Sequence, residues 1–118
     1  YGYAKVPKRM KVHWGQLIAD YLSRRASLRG VVVIMDVRRP FTDLDQQLVE
    51  WCAGAERPVH VLLTKCDKLS RGAGSQALAK ARRLVSNQSP AINLQLFSAL
   101  KLIGAEEARN QLAHWLDD

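Results

Sequence analysis

Two short apolar runs, Val31-Val32-Val33-Ile34-Met35 and Val59-His60-Val61-Leu62-Leu63, constrain the fold of this chain more than any other feature. Val, Ile and Leu in an unbroken run, without polar alternation, are the pattern of a strand buried on both faces of a parallel sheet. The first run extends through Asp36 to Val37. The stretch between them repeats apolar residues at helical spacing, Leu44, Leu48, Trp51 and Cys52, and closes near Gly54. Thr42, followed by Asp45 three residues later, reads as a capping box with Asp in place of Glu. A strand, a helix and a second strand in this order demand a parallel pair with a crossover between them.

The same alternation continues on both sides. Pro7 can open a helix whose apolar positions are Met10, Trp14, Leu17, Ile18, Tyr21 and Leu22, running to about Leu28 and stopping at Gly30. Ser70 to Ser75, with two glycines and an arginine, reads as a flexible loop. Ala77, Leu78, Ala81, Leu84 and Val85 mark a further helix, and Pro90 breaks the chain after it. Ile92 to Phe97 is a third strand, more alternating than the others, as expected at a sheet edge. Gly104 precedes a last helix with Ala108, Leu112, Trp115 and Leu116 on its apolar face. The expectation is a single α/β domain over residues 1–118, its ligands held at the carboxyl ends of the strands.

Three groups of residues should gather at that edge: Asp36, the loop Thr64-Lys65-Cys66-Asp67, and Ser98-Ala99-Leu100-Lys101. The second group reads as the Asn/Thr-Lys-x-Asp guanine-specificity motif of a GTPase. The Asp67 carboxylate can accept from both the N1 and N2 donors of guanine, a pair that adenine does not offer on that edge. Lys65 can lay its methylene stem against the base while its ammonium stays wet. Thr64 stands where asparagine is more usual and keeps a hydroxyl that can tie the loop to neighbouring backbone. The group at Ser98 resembles the Ser-Ala-Lys guanine loop, in which a backbone N–H donates to guanine O6; here the lysine comes one place late. Asp36 reads as a loop-capping carboxylate.

Other chemistries lack support. His13, His60 and His114 show no metal-ligand spacing, and His60 on a buried strand reads as a packed core residue. No serine stands in a G-x-S-x-G setting. Cys52 and Cys66 read as small, semi-buried residues of a reducing, cytosolic protein. The longest apolar run is far too short to span a bilayer, and no charged start followed by a long apolar stretch marks a signal peptide. No phosphate-binding loop of the form G-x-x-x-x-G-K-S/T occurs, so the chain carries a base-recognition half without a phosphate half.

With these motifs placed, Tyr1-Gly2-Tyr3-Ala4-Lys5-Val6, Leu44-Asp45-Gln46-Gln47, Thr64-Lys65-Cys66-Asp67-Lys68-Leu69 and Phe97-Ser98-Ala99-Leu100-Lys101 together resemble the EngB (YihA-type) family of bacterial GTP-binding proteins, over essentially the whole chain. The resemblance implies a Ras-like P-loop GTPase fold, with a mostly parallel sheet and flanking helices. In that family Y-G-Y-A directly follows the D-x-P-G loop, so the amino-terminal strands and the phosphate loop are absent from this chain, which starts at Tyr1 without an initiator methionine. By position, Thr64, Lys65, Cys66 and Asp67 carry over as the base-specificity loop, and Phe97, Ser98 and Ala99 as the second base loop. GTP or GDP is the implied ligand. Magnesium belongs to the intact protein, its ligands lying outside this chain. No catalytic residue is assigned: the intact protein would be a slow GTPase and this chain alone inactive. The implied role is assembly of the large ribosomal subunit, with a link to septation and cell division, in the cytoplasm.

Charge bears on the partner. Residues 1–30 hold seven basic side chains against Asp20 and so carry +6 of the net +7. Such a segment favours phosphate-rich partners through counterion release, and a solvated helix face accounts for the same charges equally well. Lys5, Lys8, Arg9 and Lys11 are the expected contacts to ribosomal RNA and the large-subunit precursor. A nucleotide-independent RNA-binding module is the alternative from another class; a phosphate loop followed by D-x-P-G upstream of Tyr1 would decide for the GTPase. The first strand would also lack its neighbour on one side, which predicts dimerisation of the isolated fragment through the Val31–Val37 edge, element swapping, aggregation, or a requirement for the amino-terminal half.

Overall fold

A computed structural model describes residues 28–86 and 92–116. The predicted basic helix from Pro7, the residues Lys5, Lys8, Arg9 and Lys11, and Pro90 lie outside them. The described part is a three-stranded parallel sheet of order β1-β2-β3, with β1 at Val31–Asp36, β2 at Val59–Thr64 and β3 at Ile92–Leu96. Three α-helices follow the strands in turn: α1 at Asp43–Gly54, α2 at Arg71–Leu84 and α3 at Ala105–Leu116. The α/β class and the parallel pairing are as expected.

Register explains the core. Val33 pairs with Val61 and Val61 with Leu94, while Met35 pairs with Leu63. Registered partners share a face, so these residues form one apolar surface. Val49 and Cys52 of α1 and Ala81 of α2 join it in a single buried cluster, to which Val85, just past α2, also belongs. Val61, Leu63 and Ala81 are fully shielded from solvent. Burying each such Val or Leu contributes about 1.5–3 kcal/mol.

The opposite face is dressed differently. His60 and Gln95 are buried there, and α3 lies over them through Trp115, whose ring meets the His60 ring edge-on. Gln111 of α3 reaches Asn93 of β3. His60 is the packed core residue that the sequence predicts. On this face Val32 is 38% and Ile34 56% exposed. The expectation of a strand buried on both faces is therefore corrected for β1. The described helices cover both faces of β2 but only one of β1. The apolar stripe of α3 is corrected for the same reason, since Leu112 and Leu116 are exposed and the helix meets the sheet through Trp115.

Local signals set the helix ends. Thr42 Oγ1 accepts from the Asp45 N–H and the Asp45 carboxylate accepts from the Thr42 N–H, which completes the capping box. The segment read as a flexible loop, Ser70 to Ser75, is instead the start of α2. Ser70 is its N-cap, accepting from the Ala73 N–H at 3.1 Å. Gly74 is buried in the first turn because α2 passes close to β3: a Cβ there would lie 3.5 Å from Leu96 Cδ1. Ser70, read as turn chemistry, thus serves a cap, and Gly74 lies beside Leu96, while Gly72 faces open space.

Candidate functional site

The carboxyl ends of the three strands meet at one edge, and the register aligns them. Asp36 pairs with Thr64, the last residues of β1 and β2. Beyond β2 the chain turns sharply. Lys65 adopts a left-handed backbone, φ 62° and ψ 30°, and leads into a single 3₁₀ turn, Cys66–Lys68. A non-glycine residue in this region costs on the order of 1–3 kcal/mol, so the surroundings must hold it. They do so from both neighbouring strands. Thr64 Oγ1 donates to the Met35 carbonyl at 3.1 Å, the tie to neighbouring backbone expected of a threonine here. Val37 N–H donates to Thr64 O, Phe97 N–H to Leu63 O, and Cys66 N–H to Phe97 O at 3.1 Å.

The second loop is closed on itself. Ser98 and Ile103 exchange both backbone hydrogen bonds, at 2.9 and 3.0 Å, around Ala99-Leu100-Lys101-Leu102. The buried Ser98 side chain is the hinge of the site. Its hydroxyl donates to Asp67 Oδ1 at 2.7 Å and accepts from the Lys101 N–H at 3.1 Å. Cys66 and Asp67 are thereby tied to Phe97 and Ser98, while the Thr64 and Lys65 side chains turn to Met35 and Asp36 of β1 and Ala99 lies in the closed turn beyond Ser98. Lys101 takes part here through its backbone.

The electrostatics follow from these contacts. The Ser98 hydroxyl holds the Asp67 carboxyl below its ordinary range, with Lys68 and Lys101 adding to the effect. Asp67 is therefore an acceptor at neutral pH. One hydrogen bond occupies only part of the roughly four lone-pair sites of a carboxylate, which leaves capacity for a planar donor pair. Burial raises the Cys66 thiol, and the Asp67 charge raises it further. Both Cys52 and Cys66 are free and buried.

Asp36 is the capping carboxylate that the sequence predicts. Its Oδ1 accepts from the Arg38 N–H at 2.9 Å and from Arg38 Nε at 3.0 Å, and its Oδ2 accepts from Arg38 Nη2 at 2.8 Å. The Arg38 side chain is the main cause of a pKa lowered to about 2. Sequence reasoning passed over Arg38; an arginine two residues after a strand-end aspartate was the available signal. It also passed over Gln95, whose amide donates to Leu96 O and to Gly104 O at 2.8 Å and braces the root of the second loop.

Among the described residues no group of three or more His, Cys, Asp or Glu could hold a metal ion. Asp36 and Asp67, the carboxylates at this edge, are engaged by Arg38 and Ser98. No described helix is long and apolar enough to cross a membrane.

No protein-family model matches the chain. It is 51% identical over 116 residues to a probable GTP-binding protein EngB of Aromatoleum aromaticum, covering 98% of this chain and 54% of that protein. The proteins of the same description from Methylococcus capsulatus, 51% identical over 118 residues, and Ralstonia nicotianae, 48% over 122 residues, are matched over 56% and 52% of their lengths. The chain thus spans about half the length of the curated relatives it matches. Among solved structures, the translation elongation factor SelB of Methanococcus maripaludis superposes with a TM-score of 0.73 in its apo form, at 15% identity over 88% of this chain and 23% of that one. The same factor in complex with the GTP analogue GPPNHP superposes at 0.67, with 17% identity. These two likenesses carry the fold.

Proposed function

Since the chain belongs to the EngB family of GTP-binding proteins, as its carboxyl-terminal portion, we propose that it is the base-recognition half of a guanine-nucleotide-binding domain. One observation carries the reading: the 2.7 Å hydrogen bond from Ser98 to Asp67 joins two loops that were each read independently as guanine-contacting. Recognition is then a matter of complementary donors and acceptors. Asp67 accepts from guanine N1 and N2, the Ala99 N–H donates to O6, and the Lys65 stem flanks the ring. Adenine presents a donor where O6 stands and lacks the 2-amino group, so it leaves polar groups of the site unpaired, at a cost in affinity.

The phosphates, magnesium and hydrolysis are assigned to the portion of the intact protein outside this chain. The intact protein is a slow GTPase of the cytoplasm, acting in assembly of the large ribosomal subunit and linked to septation and cell division. The basic residues Lys5, Lys8, Arg9 and Lys11 dock it on ribosomal RNA.

The test is equilibrium competition on the intact protein. A fluorescent GDP analogue should be displaced by GDP and GTP, while ADP and ATP displace it only at concentrations at least about tenfold higher. Equal displacement by adenine and guanine nucleotides would remove the proposal.

A further inference from the structure

At the strand ends stands a charged group that the guanine contacts do not use. Asp36 closes β1 and Lys65 follows β2, and the pairing of Asp36 with Thr64 sets them side by side. The Arg38 guanidinium engages both carboxylate oxygens, at 3.0 and 2.8 Å, and the Arg38 backbone N–H takes a further lone pair. The carboxylate is thereby fixed in orientation. Its Oδ2 faces the Lys65 ammonium at 3.8 Å.

We propose that Asp36, locked by Arg38, is a positioning residue for Lys65, drawing its ammonium toward β1 so that the stem lies ready to cover the guanine ring. This deepens the guanine-site reading and rests on it. The lysine needs such a partner. Its side chain is 61% exposed, its backbone is left-handed, and no side-chain cap holds the turn that it opens. A four-carbon stem in water samples many rotamers, and the ordering needed to lie flat on a base is lost affinity unless made beforehand. A fixed anion on the neighbouring strand supplies that ordering. Arg38 cannot substitute for the anion, because it bears the same charge as Lys65. Its part is to prevent the carboxylate from rotating away.

The experiment is a double-mutant cycle on the intact protein, with the Kd for a fluorescent GDP analogue as readout and the thermal midpoint measured alongside. Asp36→Asn keeps the shape and an acceptor for the Arg38 N–H, and removes the charge. It should raise Kd about two- to fivefold, the scale of an exposed ion pair. Asp36→Glu should bind within about twofold of wild type. Lys65→Met should weaken binding, and adding Asp36→Asn to it should cause no further loss, because the carboxylate acts through the ammonium. If the asparagine variant does not fold, Asp36→Ser enters the same cycle. An unchanged Kd for Asp36→Asn, or an undiminished effect in the Lys65→Met background, would overturn the proposal. Failure of the wild type itself to bind the GDP analogue would instead overturn the guanine reading on which it rests.

Discussion

Gly104→Ala tests how the second loop is held. Gly104 has φ +79°, a backbone conformation that costs an alanine about 1–2 kcal/mol. An added Cβ would press on the Leu96 carbonyl oxygen and lie 2.6 Å from Gln95 Nε2. Gln95 has no room to give, being 1% exposed and spending its amide nitrogen on Leu96 O and Gly104 O. Because that nitrogen donates, Oε1 is the acceptor toward His60 Nε2 at 2.6 Å, and a displaced Gln95 disturbs a second buried group. Losing one buried hydrogen bond costs about 1–3 kcal/mol, and with the backbone term the expected destabilisation is about 2–5 kcal/mol. The assay is urea denaturation of the intact protein, reading the midpoint at an unchanged m-value. Gln95→Leu combined with Gly104→Ala should destabilise by less than the sum of the two, since both act on one hydrogen bond. A Gly104→Ala variant within about 0.5 kcal/mol of wild type would refute the claim that Gln95 braces the loop at a position with no room for a side chain.

Further outcomes are expected elsewhere in the chain. Thr42→Ala removes the side-chain half of the capping box at α1 and should cost about 1 kcal/mol in the same denaturation assay, with no change in nucleotide selectivity. Asp36 has a folded pKa of about 2, below its ordinary 3.8, so its stabilisation is present above about pH 4 and lost as pH falls through about 2. Between those values the wild type should lose stability more steeply than Asp36→Asn, read as thermal midpoint against pH; parallel curves would contradict the pairing with Arg38. Replacing Lys5, Lys8, Arg9 and Lys11 with alanine should make the salt dependence of binding to large-subunit particles shallower, by roughly one unit of slope per lost phosphate contact. An identical slope would identify the patch as a solvated face.

The site was more legible in the sequence than the surfaces around it. Val61 and Leu63 are apolar at positions that parallel register buries, so the strand could be read directly from them, while the strand neighbours followed from the family resemblance. The meeting of the two loops could be anticipated because both follow strand ends at one sheet edge, where the Ser98 hydroxyl reaches the Asp67 carboxylate. The start of α2 misled because Ser70, Gly72 and Gly74 are turn residues by composition. Gly74 sits at ordinary contact distance from Leu96 and Gly72 faces open space, so their composition marked a turn where the chain is helical. Ile34 misled because a branched apolar residue looks the same at a buried and at an exposed strand position. Arg38 was missed because a charged residue past a strand end has no periodicity, and its partner becomes evident only once the turn is folded.

The most direct test of the central claim is the Asp67→Asn variant of the intact protein, titrated against GTP and xanthosine triphosphate. Xanthine carries an oxygen where guanine carries its 2-amino group, so it places an acceptor against the Asp67 carboxylate and a suitable partner against an amide. The wild type should bind GTP over xanthosine triphosphate, and the variant should lose that preference by about tenfold or more. A variant that discriminates as the wild type does would show that Asp67 does not read the base.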